Sequence, residues 1–237
     1  MRLTLVLVRH GEADHNVTED QRKGAGAGVI VNYIDDGEKH ICDTELTESG
    51  RRQARLVAER LKAEKFDFAA ASDLRRARDT ALAVASLQHI EVAQWKSARE
   101  RFFGVFEKDR KLGMKLIASQ AFVEDYIKDR SLLTWRIPEG GESVVDLRSR
   151  ISDQFLPQVV EQGRIIAKDQ PKILVASHGL FIKEVHRILG EMSSNSENFE
   201  AEKPYVNTAV SQYQLDVDNG QIKNVVCDFF ACAKHLE

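Results

Sequence analysis

The stretch Leu3-Thr4-Leu5-Val6-Leu7-Val8-Arg9-His10-Gly11-Glu12 decides how the chain is read. Six apolar or β-branched residues run without a break and then give way to an arginine, a histidine and a glycine. That length suits one strand buried on both faces and is too short for a capped helix. Such a strand, ending in Arg-His, sets two phosphate-seeking side chains at the edge where α/β sheets hold their ligands. The plainer alternative is a polar turn with both side chains solvated, and these residues alone leave it open.

A second stretch repeats the pattern. Lys172-Ile173-Leu174-Val175-Ala176-Ser177 reads as another buried strand, closed by His178-Gly179 and followed by a helix over Leu180 to Leu189. If both strands lie centrally in a parallel sheet, His10 and His178 meet at one carboxyl edge, and the small Gly11 and Gly179 let a ligand approach the backbone. The alternative for His178 is a helix cap. Between these strands, Thr47 is the expected N-cap of a helix with the apolar stripe Leu56, Val57 and Leu61. Phe66 to Ala71 reads as a strand, Ser72-Asp73 as the N-cap of a helix over Leu74 to Leu87, and Ile90 to Ala93 as a short strand. Strand alternating with helix argues for parallel βαβ units.

Helical segments are expected over about 109–128 and 142–160. Two final strands, about 209–217 and 222–230, flank the hairpin signal Asp218-Asn219-Gly220. The expected fold is a single α/β domain over 1–237: a three-layer α/β/α sandwich whose central sheet is mostly parallel, with an antiparallel C-terminal hairpin. Residues 17–45 lack periodicity and contain Gly24, Gly26 and Gly28, the character of a lid loop; Val29 to Ile34 is a candidate short strand within it.

Composition narrows the function classes. A formal charge of −3 over 237 residues gives no global basic field for nucleic acid or an anionic membrane. The cysteines Cys42, Cys227 and Cys232 fit neither a disulfide framework nor a Cys-type zinc site. The N-terminal apolar run is too short for a signal peptide and no stretch reaches membrane-spanning length, so the expected location is the cytoplasm. His15, His40, His89, His186 and His235 show no paired ligand spacing and are read as structural or exposed, and no metal site is expected.

Chemistry concentrates in three further places. Arg75, Arg76 and Arg78 crowd the first turn of a helix whose end is already positive, which is unfavourable unless an anion sits there. For Arg75 and Arg78 a basic face paired with Asp73 and Asp79 is equally reasonable. Arg99-Glu100-Arg101-Phe102-Phe103-Gly104 forms a charged and aromatic loop, and Gly140-Gly141-Glu142-Ser143 follows later.

In this order, these motifs resemble the histidine phosphatase (phosphoglycerate mutase-like) superfamily: Arg9-His10-Gly11-Glu12 with Asn16, Leu46-Thr47-x-x-Gly50-x-x-Gln53-Ala54, Ser72-Asp73-Leu74-x-Arg76-Ala77, Glu100-Arg101-x-Phe103-Gly104, Gly140-Gly141-Glu142-Ser143 and Ser177-His178-Gly179. Within it, residues 99–107 and the Gly140-Gly141-Glu142-Ser143 stretch are most similar to TIGAR-type fructose-2,6-bisphosphatases, as is the ending Cys227 to Leu236 with its His235-Leu236. The resemblance implies a hydrolase that needs neither metal nor other cofactor. His10 would be the nucleophile forming a phosphohistidine, Glu100 the general acid, and Arg9, Arg76 and protonated His178 the groups around the phosphoryl oxygens. Asn16, Gly11, Glu12, Arg101, Glu142 and Gly179 are the implied substrate contacts. The partner is then a small phosphorylated metabolite, such as fructose 2,6-bisphosphate, and a monomer is favoured. Arg22, Lys23, Arg101 and Lys108 are the cations available for a second phosphate. A phosphoglycerate mutase, a broad-specificity phosphatase and a non-catalytic phosphate- or partner-binding module stay open as alternatives.

Overall fold

In the computed structural model, β1 (Arg2–Arg9) lies at the centre of a six-stranded sheet. The structure describes residues 1–16, 32–35, 40–104, 133–136, 139–195, 199 and 205–237. The remaining elements are β2 (Asn32–Asp35), β3 (His40–Asp43), α1 (Glu48–Leu61), β4 (Phe68–Ala71), α2 (Arg75–Ser86) and β5 (Val92–Gln94). They continue with α3 (Val144–Arg150), a π-helical segment (Ile151–Phe155), α4 (Leu156–Ile166), β6 (Lys172–Ser177), α5 (Gly179–Glu191), β7 (Val210–Asp218) and β8 (Gln221–Cys232).

The sheet order is β5-β4-β6-β1-β7-β8, parallel from β5 to β1 and antiparallel for the last two strands. The unbroken apolar run of β1 follows from cover on both faces. Leu3, Leu5 and Leu7 point to the side of α3–α5, packing with Leu147, Phe155, Val159, Phe181 and Val185. Val6 and Val8 point to the other side, with Val57, Ala58 and Leu61 of α1 and Val84 and Ala85 of α2. This is the expected three-layer sandwich. The final hairpin turns through Asn219 (φ 49°) and Gly220 (φ 76°), the paired left-handed geometry that suits Asn-Gly.

Three local differences have physical causes. Helix α2 begins at Arg75 with Leu74 at its N-cap rather than being capped by Ser72-Asp73. Asp73 is drawn instead into a two-bond ion pair with Arg99, and the buried Asp43 accepts from the Arg75 amide at 2.7 Å. The helix expected over 142–160 starts after a Ser143–Asp146 capping box and runs on to Ile166, with its middle turn wound as a π segment. Within the lid stretch the described residues form a two-stranded antiparallel ladder, β2 with β3, the second strand of which was not expected. Residues 17–31 and the helix expected over about 109–128 lie outside the described residues. Among the described residues, no helix is long and apolar enough to cross a membrane.

Candidate active site

The parallel register of β1 and β6 pairs Arg9 with Ser177, so the next residue on each strand is a histidine. The His10 amide donates to the Ser177 carbonyl at 2.9 Å, and the His10 and His178 rings meet edge to face at 5.2 Å between centroids. Both are almost wholly buried, 2% and 1% exposed. They line a cavity of about 300 Å³ together with Arg9, Arg76, Glu100, Gly179, Leu180, Lys183 and Tyr205. β1, β6 and the β4–α2 connection all end here, at the carboxyl edge of the parallel strands.

The His10 Nδ1 lies 2.7 Å from the Gly11 carbonyl. A carbonyl only accepts, so Nδ1 carries the proton and any bond to a ligand atom falls to Nε2. The turn after His10 is fixed from outside: the Gly11 amide donates to Thr80 Oγ1 of α2 at 3.0 Å. A Cβ on Gly11 would sit 2.5 Å from the Gly50 carbonyl oxygen, and one on Gly50 would sit 1.9 Å from that of Glu12. The small residue at 11 therefore serves close approach to α1, not access for a ligand as expected. Gly179 does face the cavity, where a Cβ would lie 3.4 Å from Arg9 Nε.

Arg9 donates through Nη1 to the Tyr205 carbonyl, while its buried Nε has no hydrogen-bond partner. Burial pushes its pKa down from the usual arginine value. Of the three clustered arginines only Arg76 lines the cavity. Arg75 pairs with Asp43 and Glu45, and Arg78 with Asp79.

Glu100 is half-buried, and its carboxylate receives three backbone amides: Arg101 at 2.9 Å, Leu180 at 3.1 Å and Phe181 at 3.0 Å. Desolvation raises its pKa despite these bonds and Arg76 nearby. Its segment is held by Arg150, which donates to the carbonyls of Ser97, Arg99 and Glu100 and pairs with Glu142. Glu142 also accepts from the Phe102 amide at 2.9 Å. His178 occupies the N-cap position of α5 but makes no side-chain cap bond; Glu100 accepts those amides instead.

Arg9, His10, Arg76, Glu100, His178 and Gly179 thus come together, while several expected contacts face elsewhere. Glu12 accepts from the Thr47 hydroxyl at 2.5 Å and ties to α1. Glu142 braces the Glu100 segment. Arg101 is buried with its guanidinium over the Phe103 ring, 5.1 Å from the centroid, and is not among the residues lining the cavity. The Asn16 amide oxygen accepts from Ala13 and Asn207, so any donor it offers a ligand is its Nδ2. Arg22, Lys23 and Lys108 lie outside the described residues. Lys183 and Tyr205 were not anticipated. Lys183 stands four residues beyond Gly179 on the same helix face, a spacing visible in the sequence. Tyr205 arrives from a distant loop without a local signal. Among the described residues, no group of three or more His, Cys, Asp or Glu side chains is placed to hold a metal ion.

Two buried histidines at the edge of a parallel sheet, flanked by two arginines and a carboxyl group, mark an α/β protein with a candidate site for an anionic group. The family model of the histidine phosphatase superfamily (branch 1) matches residues 37–228, and the chain belongs to that superfamily. The match begins beyond the Arg9-His10 turn, so the geometry above carries that part of the site. A glucosyl-3-phosphoglycerate phosphatase of Mycobacterium tuberculosis is 31% identical over 179 residues, covering 74% of this chain and 70% of that protein. A metal-independent phosphoserine phosphatase of Arabidopsis thaliana is 28% identical over 90% of this chain and 79% of its own length. The solved native structure of mycobacterial glucosyl-3-phosphoglycerate phosphatase superposes with a TM-score of 0.67 at 27% identity, covering 98% of this chain and 99% of that one.

Proposed function

We propose that the protein is a phosphatase that hydrolyses a phosphomonoester through a phosphohistidine on His10. The observation that carries this is the His10 ring itself: Nδ1 is committed to the Gly11 carbonyl, leaving Nε2 to attack phosphorus beside Arg9, Arg76 and His178. A neutral imidazole nitrogen is nucleophilic at pH 7, and the P–N bond it forms is readily hydrolysed. Arg9, Arg76 and His178 would gather the charge on the phosphoryl oxygens, and the partnerless Arg9 Nε supports that role. Glu100, whose desolvated carboxyl holds its proton more tightly than usual, would protonate the leaving oxygen and then take a proton from the attacking water.

Charge along the wall bears on the substrate. Arg9, Arg76 and Lys183 are three formal cations facing the single carboxyl of Glu100. A phosphomonoester dianion answers two of them, and Lys183, with no ion pair among the described residues, suits a further anionic group. Substrates carrying a second acid meet this condition: sugar bisphosphates such as fructose 2,6-bisphosphate, or phosphorylated carboxylic acids such as those named in the relatives. Similarity to proteins named probable phosphoglycerate mutases favours one second reading, transfer of the phosphoryl group to a bound acid rather than to water.

The test is rapid-quench labelling with a ³²P-phosphomonoester, with p-nitrophenyl phosphate turnover alongside. Acid-labile, base-stable label on His10, formed and lost at the rate of turnover, is expected. Turnover without such a label overturns the mechanism, and no turnover leaves a binding module.

A further inference from the structure

We infer that His235, close to the chain's C-terminal end, is a positioning residue for His10, acting through Thr208; the inference rests on His10 being the nucleophile. The path is short and each bond has a fixed direction. Arg60 Nη1 lies 3.1 Å from His235 Nδ1, and His235 Nε2 lies 3.0 Å from Thr208 Oγ1. A guanidinium only donates, so Nδ1 accepts and the ring proton sits on Nε2, aimed at Thr208. The Thr208 hydroxyl spends its own proton on the Asn207 carbonyl at 2.7 Å. Burial and the neighbouring Arg60 push the His235 pKa down to about 4, which keeps the ring in the neutral form this chain of donors needs.

Thr208 repays such holding. It is fully buried and sits at φ 58°, a left-handed conformation that a β-branched residue adopts only under constraint. In that conformation its amide reaches the carbonyls of both Arg9 (3.1 Å) and His10 (3.3 Å). The neighbouring Asn207 Nδ2 donates to the His10 carbonyl at 3.0 Å. The peptide units that carry the arginine and the histidine into the cavity are thus gripped from a loop whose strained residue is pinned by the chain terminus. Arg60 completes the tie from α1, donating also to the Cys232 carbonyl at 2.8 Å. A role limited to fastening the terminus would need no contact with Thr208.

The experiment compares wild type with His235→Ala, His235→Gln, Thr208→Ala and the double variant His235→Ala/Thr208→Ala. For each, the rate of phosphohistidine formation, kcat and KM on p-nitrophenyl phosphate, and the thermal midpoint are measured. Small displacements of a reacting group cost up to about 100-fold, so His235→Ala is expected to slow labelling and kcat by about 10-fold with a much smaller change in KM. Glutamine offers an acceptor to Arg60 and a donor to Thr208, and should recover most of the rate. Thr208→Ala should show a similar loss, and the double variant should be no worse than the slower single one, since both break the same path. Labelling by folded His235→Ala within twofold of wild type overturns the inference, as do losses that multiply in the double variant. Absence of label from wild type overturns the nucleophile instead, and the two failures are told apart.

Discussion

The carboxylate of Glu100 accepts a hydrogen bond from the Leu180 amide at 3.1 Å, so the proposed acid also serves as the cap of the helix that follows His178. The first turn of α5 and the loop carrying Glu100 are therefore one unit, joined across 80 residues of sequence.

Replacing Glu100 reads both duties. Glu100→Gln cannot donate to a leaving oxygen, so alkyl phosphates should lose roughly 10²–10⁴ in kcat/KM, the usual worth of general acid catalysis. p-Nitrophenyl phosphate, with its good leaving group, should lose less in the labelling step. Glu100→Ala leaves two α5 amides without this acceptor and should cost about 1–3 kcal/mol in urea unfolding. Equal losses on both substrate types in burst kinetics would reduce Glu100 to its structural duty.

The two histidines separate by labelling. His10→Ala is expected to abolish turnover together with all phosphoenzyme. His178→Ala should be severely slowed yet still take label in long incubations, because it gathers charge without forming the bond. Substantial turnover by His10→Ala would sink the phosphohistidine route.

Lys183 is tested by matched substrates. Wild type should prefer 3-phosphoglycerate to glycerol 3-phosphate, which lacks the carboxylate, and fructose 2,6-bisphosphate to a fructose monophosphate. One shielded contact of a charged group is worth about 1.5–3 kcal/mol, so Lys183→Glu should reverse a preference of about 10-fold or more. A preference that survives charge reversal assigns specificity to other residues.

Gly50→Ala should be among the most damaging single methyl additions in the protein. The added Cβ meets a backbone oxygen at 1.9 Å, and neither partner is a movable side-chain end. Loss of soluble protein, or a midpoint lowered by many degrees, is expected. A fold that accepts alanine there would show that α1 can slide away from the His10 turn.

The share of stability held by His235 and His186 should fall as pH drops from about 6.5 to about 4, while the raised carboxyls of Glu100 and Asp43 act in the opposite direction. His235 and His186 both have native pKa values pushed down to about 4, chiefly by burial, against 6.5 ordinarily. Between those limits the unfolded chain binds protons that the native protein refuses, so the native state loses ground as pH falls. His186 faces Phe199, Tyr213 and Phe230, with Arg187 beside it, so among the described residues its nearest neighbours are aromatic or cationic and do not favour its charged form. The midpoint of chemical unfolding measured from pH 7 to 4 for wild type and His235→Gln isolates this share: the variant's advantage, or its smaller deficit, should grow as pH falls.

Much of the fold was legible because its signals are local. The apolar run before Arg9, that before His178 and the Asn219-Gly220 turn each carry strand or hairpin geometry within a few residues. The meeting of His10 and His178 followed from strand type alone, since parallel neighbours end at one edge. What stayed hidden depends on distant parts of the chain. Nothing around Asp73 reveals that Arg99 will claim it, nothing around Glu142 reveals that it will brace the Glu100 segment through Arg150 and the Phe102 amide, and Tyr205 enters the cavity from a loop. Gly11 looked like an opening for a ligand because the carbonyl of Gly50 is invisible from its own sequence.

The π-helical segment at Ile151–Phe155 separates two demands on one long rod. Arg150, just before it, grips the Glu100 loop, while Phe155, Val159 and Val160, at its end and beyond, fill the core. Each α-helical residue turns the rod by about 100°. A π turn holds one residue more than an α turn, so the segment takes up an extra residue while leaving the phase between Arg150 and the packing face of α4 close to that of an unbroken α-helix. The grip on the Glu100 loop and the filling of the core can therefore sit on one rod whose residue count does not suit a plain α-helix.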